Sequence, residues 1–274
     1  MNRVRTFLVA LLAMAIPSIA WGEPDPYAGA KMPKFDFSVD ATPMPVVHAM
    51  LKLSKVGAGD FVIDLGCGDG RIPITAAKTY GARGAGVDRN PDILAQAKKN
   101  ADKNGVADKV QFTEEDVFKA DITSATVVSA ALWPTQHIKL RPILLEKMAP
   151  GARVITNLYH MGDWKPDKGL RIPTNTARGR EVYEVYLWIV PAKIDGNWKM
   201  RVDQHVVDLQ INRKYQYFSG TGSLDGQKRP VRNGKIEGTK VTFDLALAGK
   251  IQRYTGHVQA DGTIKGETWS AARN

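Results

Sequence analysis

With 274 residues, 43% of them hydrophobic, the chain can hold one large or two modest domains with real cores, which excludes a disordered or fibrous protein. Its 38 basic and 28 acidic residues give a net charge of +10, a balance that favours anionic surfaces, nucleic acid or acidic substrates without choosing among them. A single cysteine excludes an internal disulfide and a thiolate zinc site, and no metal is expected.

The first 22 residues stand apart. Arg3 and Arg5 precede the apolar run from Phe7 to Ile16, and Pro17-Ser18-Ile19-Ala20 offers the small residues of a processing site. An exported protein, periplasmic or secreted, is expected. An uncleaved N-terminal anchor is the alternative, since the run is shorter than an ordinary span; membrane contact is expected through this segment only. Removing the two arginines leaves 36 basic and 28 acidic residues, a charge of +8. Residues 23–45 are rich in proline and small residues and predict an extended arm. Val46, Val47, Met50, Leu51 and Leu53 then recur at helical spacing.

Phe61-Val62-Ile63-Asp64-Leu65 is an apolar run ending at a carboxylate. Gly66-Cys67-Gly68-Asp69-Gly70 follows, with Arg71 opening a helical pattern. This reads as strand, tight loop and helix, the nucleotide-binding corner of a doubly wound α/β sheet. The glycines let a ligand lie against bare main chain. A pyrophosphate cradle wants a loop without negative charge, and Asp64 and Asp69 would repel phosphates. The same geometry suits an amino group and a sulfonium, as in S-adenosylmethionine (SAM). Cys67 is expected as a small residue packed beneath the cofactor rather than as a nucleophile. Asp64-Leu-Gly-Cys-Gly-Asp-Gly70 resembles motif I of the class I, seven-stranded SAM-dependent methyltransferases.

That resemblance implies a Rossmann-like methyltransferase domain over residues 46–192. It also implies that the segment from Asp40 to Pro45 belongs to the substrate entrance. A first helix runs from Arg71 to Thr79 and a second strand from Gly84 to Asp88. Asp88 lies 24 positions after Asp64, where a carboxylate accepts hydrogen bonds from both ribose hydroxyls; Arg89 beside it is counted with the cofactor residues. Pro91 to Asn104 is strongly helical and closed by Gly105. After the strand at Val110 to Thr113, Asp116 and Val117 resemble the family's adenine-binding turn, with a side-chain oxygen and the next backbone N–H as the contacts.

Ala125 to Leu132 is a fourth strand ending in Trp133-Pro134, which by resemblance lies beside the transferring methyl. The Asn- or Asp-Pro-Pro-aromatic motif of adenine and glutamine N-methyltransferases does not occur here, which argues against amide or base amines. A helix over Ile138 to Met148 and a strand over Arg153 to Asn157 complete the alternation. The register over about residues 40 to 165 is similar to small methyltransferases related to the ATP-synthase c-subunit lysine methyltransferases. A basic loop over residues 159–180 then carries Tyr159, His160, Asp163 and Trp164. His160 and Asp163 are candidate bases for an amine, although alignment alone can drive transfer from an activated donor.

Glu181 to Val190 is a boundary strand. Beyond it, short alternating runs and the turn signals Asp195-Gly196, Asp225-Gly226, Asn233-Gly234 and Asp261-Gly262 predict an antiparallel β domain over residues 193–274, a sandwich or open barrel. The segments from Asn233 and from Asp261 look like two copies of one hairpin, and Trp198, Tyr215, Tyr217 and Trp269 are expected in the core. The function read from the sequence is methyl transfer to an amine or other small nucleophile of a protein or metabolite. Nucleic acid is not expected as a partner, since no basic run with interleaved aromatics appears. The alternative is a non-catalytic exported module whose β domain binds an envelope partner.

Overall fold

The computed structural model describes residues 41–176, 179–247 and 249–274. The expected leader, most of the arm, and Arg178 lie outside the described residues. Helix α1 (Met44–Leu53) starts on Pro43 and Pro45 and buries Val46, Val47, Met50 and Leu51. The chain then alternates through β1 (Phe61–Leu65), α2 (Arg71–Tyr80), β2 (Arg83–Asp88), α3 (Pro91–Asn104), β3 (Val110–Glu114), β4 (Val127–Ala130), α4 (Pro134–Lys147) and β5 (Arg153–Asn157). The cap of α3 is Asn90, whose Oδ1 accepts the amides of Asp92 and Ile93 at 3.0 and 3.3 Å. Asp88 is thereby left for other partners. Helix α4 begins four residues before the expected Ile138, because Pro134 suits a first turn and Gln136 Oε1 accepts the Trp133 amide at 3.1 Å.

Strands β1 to β5 are parallel and β7 (Gly179–Ile189) is inserted antiparallel beside β5, in the order β3-β2-β1-β4-β5-β7-β6. Alternate side chains feed opposite faces of the sheet. Ile63, Leu65, Val128, Val154 and Trp188 pack on the side that holds Leu140 and Leu144 of α4. Val62, Val127, Ile155 and Val185 pack with α1 and α2. The basic loop expected over residues 159–180 is a loop only in its first half. Its second half is β6 (Lys168–Thr176), hydrogen-bonded to β7 from Lys168↔Leu187 to Thr176↔Gly179. Pro173 and the charges at Lys168 and Arg171 conceal the strand in sequence and are what an edge strand tolerates.

The second domain is neither a sandwich nor an open barrel but a closed eight-stranded meander. Its strands are β8 (Gly196–Val202), β9 (His205–Lys214), β10 (Tyr217–Leu224), β11 (Gln227–Glu237), β12 (Lys240–Leu247), β13 (Lys250–Val258), β14 (Ile264–Gly266) and β15 (Trp269–Arg273). Closure comes from β15 on β8, with Trp269 opposite Val202 and Ala271 opposite Met200, a pairing between the domain's two ends that no local signal announces. Asn233-Gly234 is not a hairpin turn. It is a bulge within β11, where Gly234 lets the backbone pass so close to Phe218 that a Cβ would meet its carbonyl oxygen at 2.3 Å. The turn lies at Gly238-Thr239. The two supposed copies therefore share only an inward isoleucine, Ile236 and Ile264.

Trp198 and Trp269 are core residues as expected, whereas Tyr217 faces outward and Tyr215 leaves the barrel altogether. An eight-stranded barrel is just wide enough for side chains to fill, and here the Phe243 ring lies 5.3 to 6.0 Å from those of Phe218, Tyr254 and Trp269. Truncation of Phe243 to alanine is expected to destabilise the barrel by about 3–5 kcal/mol, measured as a loss in the urea midpoint of the barrel transition.

Candidate functional site

The site lies at the carboxyl ends of β1, β2, β4 and β5, where an open parallel sheet presents ligands. Gly66 (φ 80°) and Gly70 (φ 77°) take left-handed conformations that turn the loop away from β1. A Cβ on Gly66 would stand 2.7 Å from the Leu132 side chain. The surface offered there is bare backbone.

Four amides of this loop, and that of Arg71 after it, are already committed. Gly66 and Cys67 donate to Val87 O at 2.8 and 3.1 Å, Gly68 donates to Asp88 Oδ2 at 3.1 Å, Gly70 to Cys67 O at 3.0 Å and Arg71 to Asp69 Oδ1 at 3.2 Å. Pro73, in the first turn of α2, has no amide hydrogen. A phosphate cradle needs those donors, so this loop does not supply one.

Charge repulsion, the ground expected from the sequence, is not what excludes phosphates. Asp69 is paired with Arg71, whose Nη2 lies 2.6 Å from Oδ2 and whose Nη1 also donates to Thr42 O at 2.8 Å. Burial pushes the Asp69 carboxyl up, but the Arg71 hydrogen bond and charge outweigh it and hold the group below its ordinary range. Asp64 is only 2% exposed and accepts a 2.6 Å bond from Ser129 Oγ on β4. Burial pushes its carboxyl up to about 7, with the nearby Asp88 and Asp69 charges adding to the rise against the Ser129 bond. The structure thus seats Asp64 beneath the loop as a support and Asp69 beside it as an anchor. Cys67 is buried, with Sγ against Gly86, and burial raises its thiol well above the ordinary range. It is packing, not a nucleophile.

Asp88 and Asp116 remain as the half-buried carboxylates at the crevice. Asp88 accepts the Gly68 amide on one oxygen and the Asn90 amide at 3.0 Å on the other. An ionised carboxylate has about four acceptor sites, so capacity is left for a pair of hydroxyls. Asp116 accepts the Phe118 amide at 3.0 Å in a turn held to β2 by the Glu115 amide on Asp88 O, also 3.0 Å. Val117 packs against the core in the same turn, and Arg89 is exposed. Bare backbone between two carboxylates fits an adenosyl group with a cationic centre.

At the ends of β4 and β5, Trp133 and Tyr159 face each other with ring centroids 6.1 Å apart and planes inclined by 31°. Tyr159 escaped notice as a site residue; an aromatic directly after a strand end was the available signal. His137, missed altogether, is fully buried beneath this pair, within 3.3 Å of Ala130 O, and burial pulls it down to about 4. Neither candidate base is set for the task. His160 Nδ1 accepts the Gly162 amide at 3.1 Å, so the neutral ring carries its proton on Nε2 and presents a donor. The Asp163 carboxylate is held by Arg141 at 2.6 Å, Tyr215 at 2.8 Å and Lys214 at 2.9 Å. Burial pushes Asp163 up, but the Lys214 and Tyr215 bonds and the Arg141 charge prevail and keep it below the ordinary range.

Residues 64–168 match the family model of the ANTKMT methyltransferase domain. A protein-lysine N-methyltransferase of Saccharolobus islandicus (strain REY15A) is 37% identical over 150 residues, covering 54% of this chain and 91% of the relative. The ribosomal protein L11 methyltransferase of Enterobacter sp. (strain 638) is 35% identical over 78 residues; this chain spans 27% of its length. Among solved structures, that of an RNA methyltransferase from Salinibacter ruber in complex with S-adenosyl-L-homocysteine is similar, with 46% identity, a TM-score of 0.51, and cover of 56% of this chain and 95% of that one.

The buried Asp64 carboxyl makes a pH prediction. A folded pKa of about 7 against 3.8 unfolded means that the folded state holds an extra proton between those values. The contribution of this group is fully present below about pH 4 and lost as pH rises through 7, on the order of 4 kcal/mol in all. Asp64→Asn is expected to gain on the unmodified protein across that window and to level off above it, as read from urea midpoints at successive pH values.

Proposed function

The chain belongs to the class I SAM-dependent methyltransferases, and from that premise we propose that its acceptor is the side-chain amine of a lysine in a protein. It is an enzyme, and SAM is its cofactor. Bound SAM supplies an electrophilic methyl on a sulfonium. The chain's own part is to bind and align. Asp88 would hold the ribose hydroxyls, Asp116 and the Val117 amide the adenine edge, and the bare backbone at Gly66 would lie along the ligand.

The observation that carries the lysine reading is the Trp133–Tyr159 pair beside two candidate bases that are otherwise engaged. Two aromatic faces suit a lysine's alkyl stem, and they favour a methylated ammonium product through cation–π attraction. Desolvation between them lowers the pKa of the incoming ammonium. A neutral amine then needs alignment with the methyl rather than an obligatory base. The lysine methyltransferase of Saccharolobus, of which the chain covers 91%, supports the same reading.

An RNA acceptor is the second reading, favoured by the name of the Salinibacter structure at 46% identity and by the same aromatic pair, which can stack a base. Tritiated SAM is to be incubated with the protein and with separate envelope and cytosolic extracts, the envelope arm testing the expected export. Label removed by protease and recovered as methyl-lysine after hydrolysis is the expected result. Label removed by ribonuclease would shift the acceptor to RNA. SAM binding without transfer to either extract would revive the non-catalytic module. Asp88→Ala is expected to lose SAM affinity at least tenfold by calorimetry, since it removes both the ribose acceptor and the tie to Gly68.

A further inference from the structure

The barrel reaches the α/β domain through two of its hairpin turns. At Gly238-Thr239, Gly238 approaches Gly151 so closely that a Cβ would be 3.0 Å from its Cα, and the Ala192 amide donates to Gly238 O at 2.8 Å. The other turn, Tyr215-Gln216 between β9 and β10, meets the segment that follows β5. Tyr215 OH donates to Asp163 Oδ1 at 2.8 Å and Lys214 Nζ lies 2.9 Å from Oδ2. The Tyr215 ring stacks on the fully buried Trp164, 6.1 Å between centroids and 24° between planes. Gln216 Nε2 donates to Lys165 O at 2.7 Å.

From the α/β side, Arg141 Nη1 grips both Asp163 Oδ1 at 2.6 Å and Met161 O at 2.9 Å. Trp188 Nε1 fixes Trp164 O at 2.8 Å. Residues 161–165 are thus clamped between α4 and β7 on one side and the barrel on the other. Tyr159 and His160 stand immediately before the clamp.

The turn itself is unusual in chemistry. A two-residue hairpin with positive φ at its first position prefers glycine or asparagine there, yet Tyr215 holds φ 55°, a strained conformation for a residue with a side chain. Such strain persists only where surrounding contacts over-determine it, and here the hydroxyl and the stacked ring both engage the other domain, through Asp163 and Trp164.

We propose that the barrel is a positioning element for the acceptor side of the site. Tyr215 is its positioning residue, acting through Asp163 and Trp164 to fix the segment that carries Tyr159 and His160. Tyr159 is then held beside Trp133, ring centroids 6.1 Å apart, as one aromatic surface for the acceptor to lie against. The proposal rests on transfer taking place at the ends of β4 and β5, and it is independent of whether the acceptor is protein or RNA. The matched family residues, 64–168, include Asp163 and Trp164 but end before the barrel that supplies Lys214 and Tyr215.

Tyr215→Gly keeps a residue suited to the turn and deletes the ring and hydroxyl; Tyr215→Phe deletes only the hydroxyl. Both full-length variants are compared with the unmodified protein in SAM affinity, in hydrogen exchange of the peptide covering residues 156–165, and in initial rates of tritium transfer to the extracts above and to poly-L-lysine. Tyr215→Gly is expected to keep SAM affinity within twofold, to speed exchange of that peptide at least tenfold, and to lower transfer at least tenfold. For poly-L-lysine the effect falls mainly on KM. Tyr215→Phe recovers most of the loss.

A folded Tyr215→Gly with unchanged exchange or unchanged transfer overturns the proposal, as does a fall in SAM affinity that matches the fall in transfer. If the unmodified protein labels the extracts but not poly-L-lysine, the extract rates decide. If it labels nothing, the methyl-transfer reading fails, and unchanged exchange in Tyr215→Gly would overturn the clamp as well.

Discussion

The contact on which the site depends is the carboxylate of Asp88 closing on the amides of Gly68 and Asn90. One side chain ties the loop after β1 to the end of β2 and leaves Asn90 to cap α3. With Val87 O receiving the Gly66 and Cys67 amides, the loop is rigid before any ligand arrives and has few donors to offer an anion. A Gly-rich turn whose amides point outward cradles phosphate. One whose amides are turned inward, onto a strand end and a carboxylate, presents main-chain carbonyls and side-chain oxygens instead. Those suit hydroxyls, amines and a sulfonium. The ligand class is set less by the count of acids near the loop than by which groups those acids have already engaged.

Much of this was legible in the sequence because it is local. The run from Phe61 to Arg71, the acid ending β2 and the stretch from Pro91 to the closing Gly105 are each specified within a few residues, and the parallel order follows from the short α/β alternation. The state of the acids was not legible. Asp69 depends on an Arg71 side chain that turns back and Asp64 on Ser129, 65 positions away, so of the four carboxylates expected around the cofactor, two are engaged by the protein itself and Asp88 and Asp116 keep oxygens at the crevice. Strand β6 and the closing pair β8–β15 were hidden for a related reason. Edge strands carry the polar residues of loops, and closure is a non-local pairing. Asn233-Gly234 misled because the dipeptide that favours a hairpin also fits a bulge, and only the approach to Phe218 decides between them.

Asp163 shows how burial and partners redirect a residue type. By sequence it is an acid after β5, in reach of a substrate. In the fold it is the common acceptor for a guanidinium from α4, a phenol and an ammonium from the barrel. A partly buried carboxylate with three donors is a junction, held ionised by its neighbours. Tyr215 completes the junction from the other side, its phenol pushed up to about 12 by burial and by Asp163, so it remains a donor near neutral pH.

A site without a poised base places its demands on geometry. With the donor already activated, the rate depends on how often the nucleophile lies in line with the methyl, and small displacements of the groups that guide it are costly. Trp133 is fixed by helix α4, whose first turn it caps. Tyr159 has no such element: it lies on irregular chain just after β5, where Leu158 holds φ 65°. Its backbone is tied to the end of β5, the Tyr159 amide donating to Asn157 O at 2.8 Å and Thr156 Oγ1 to Tyr159 O at 2.7 Å, and the segment that follows is clamped by Arg141, Trp188 and the barrel turn. In this molecule Trp133 is seated by a helix of the α/β domain, and the segment next to Tyr159 is held by a domain more than fifty residues further along the chain.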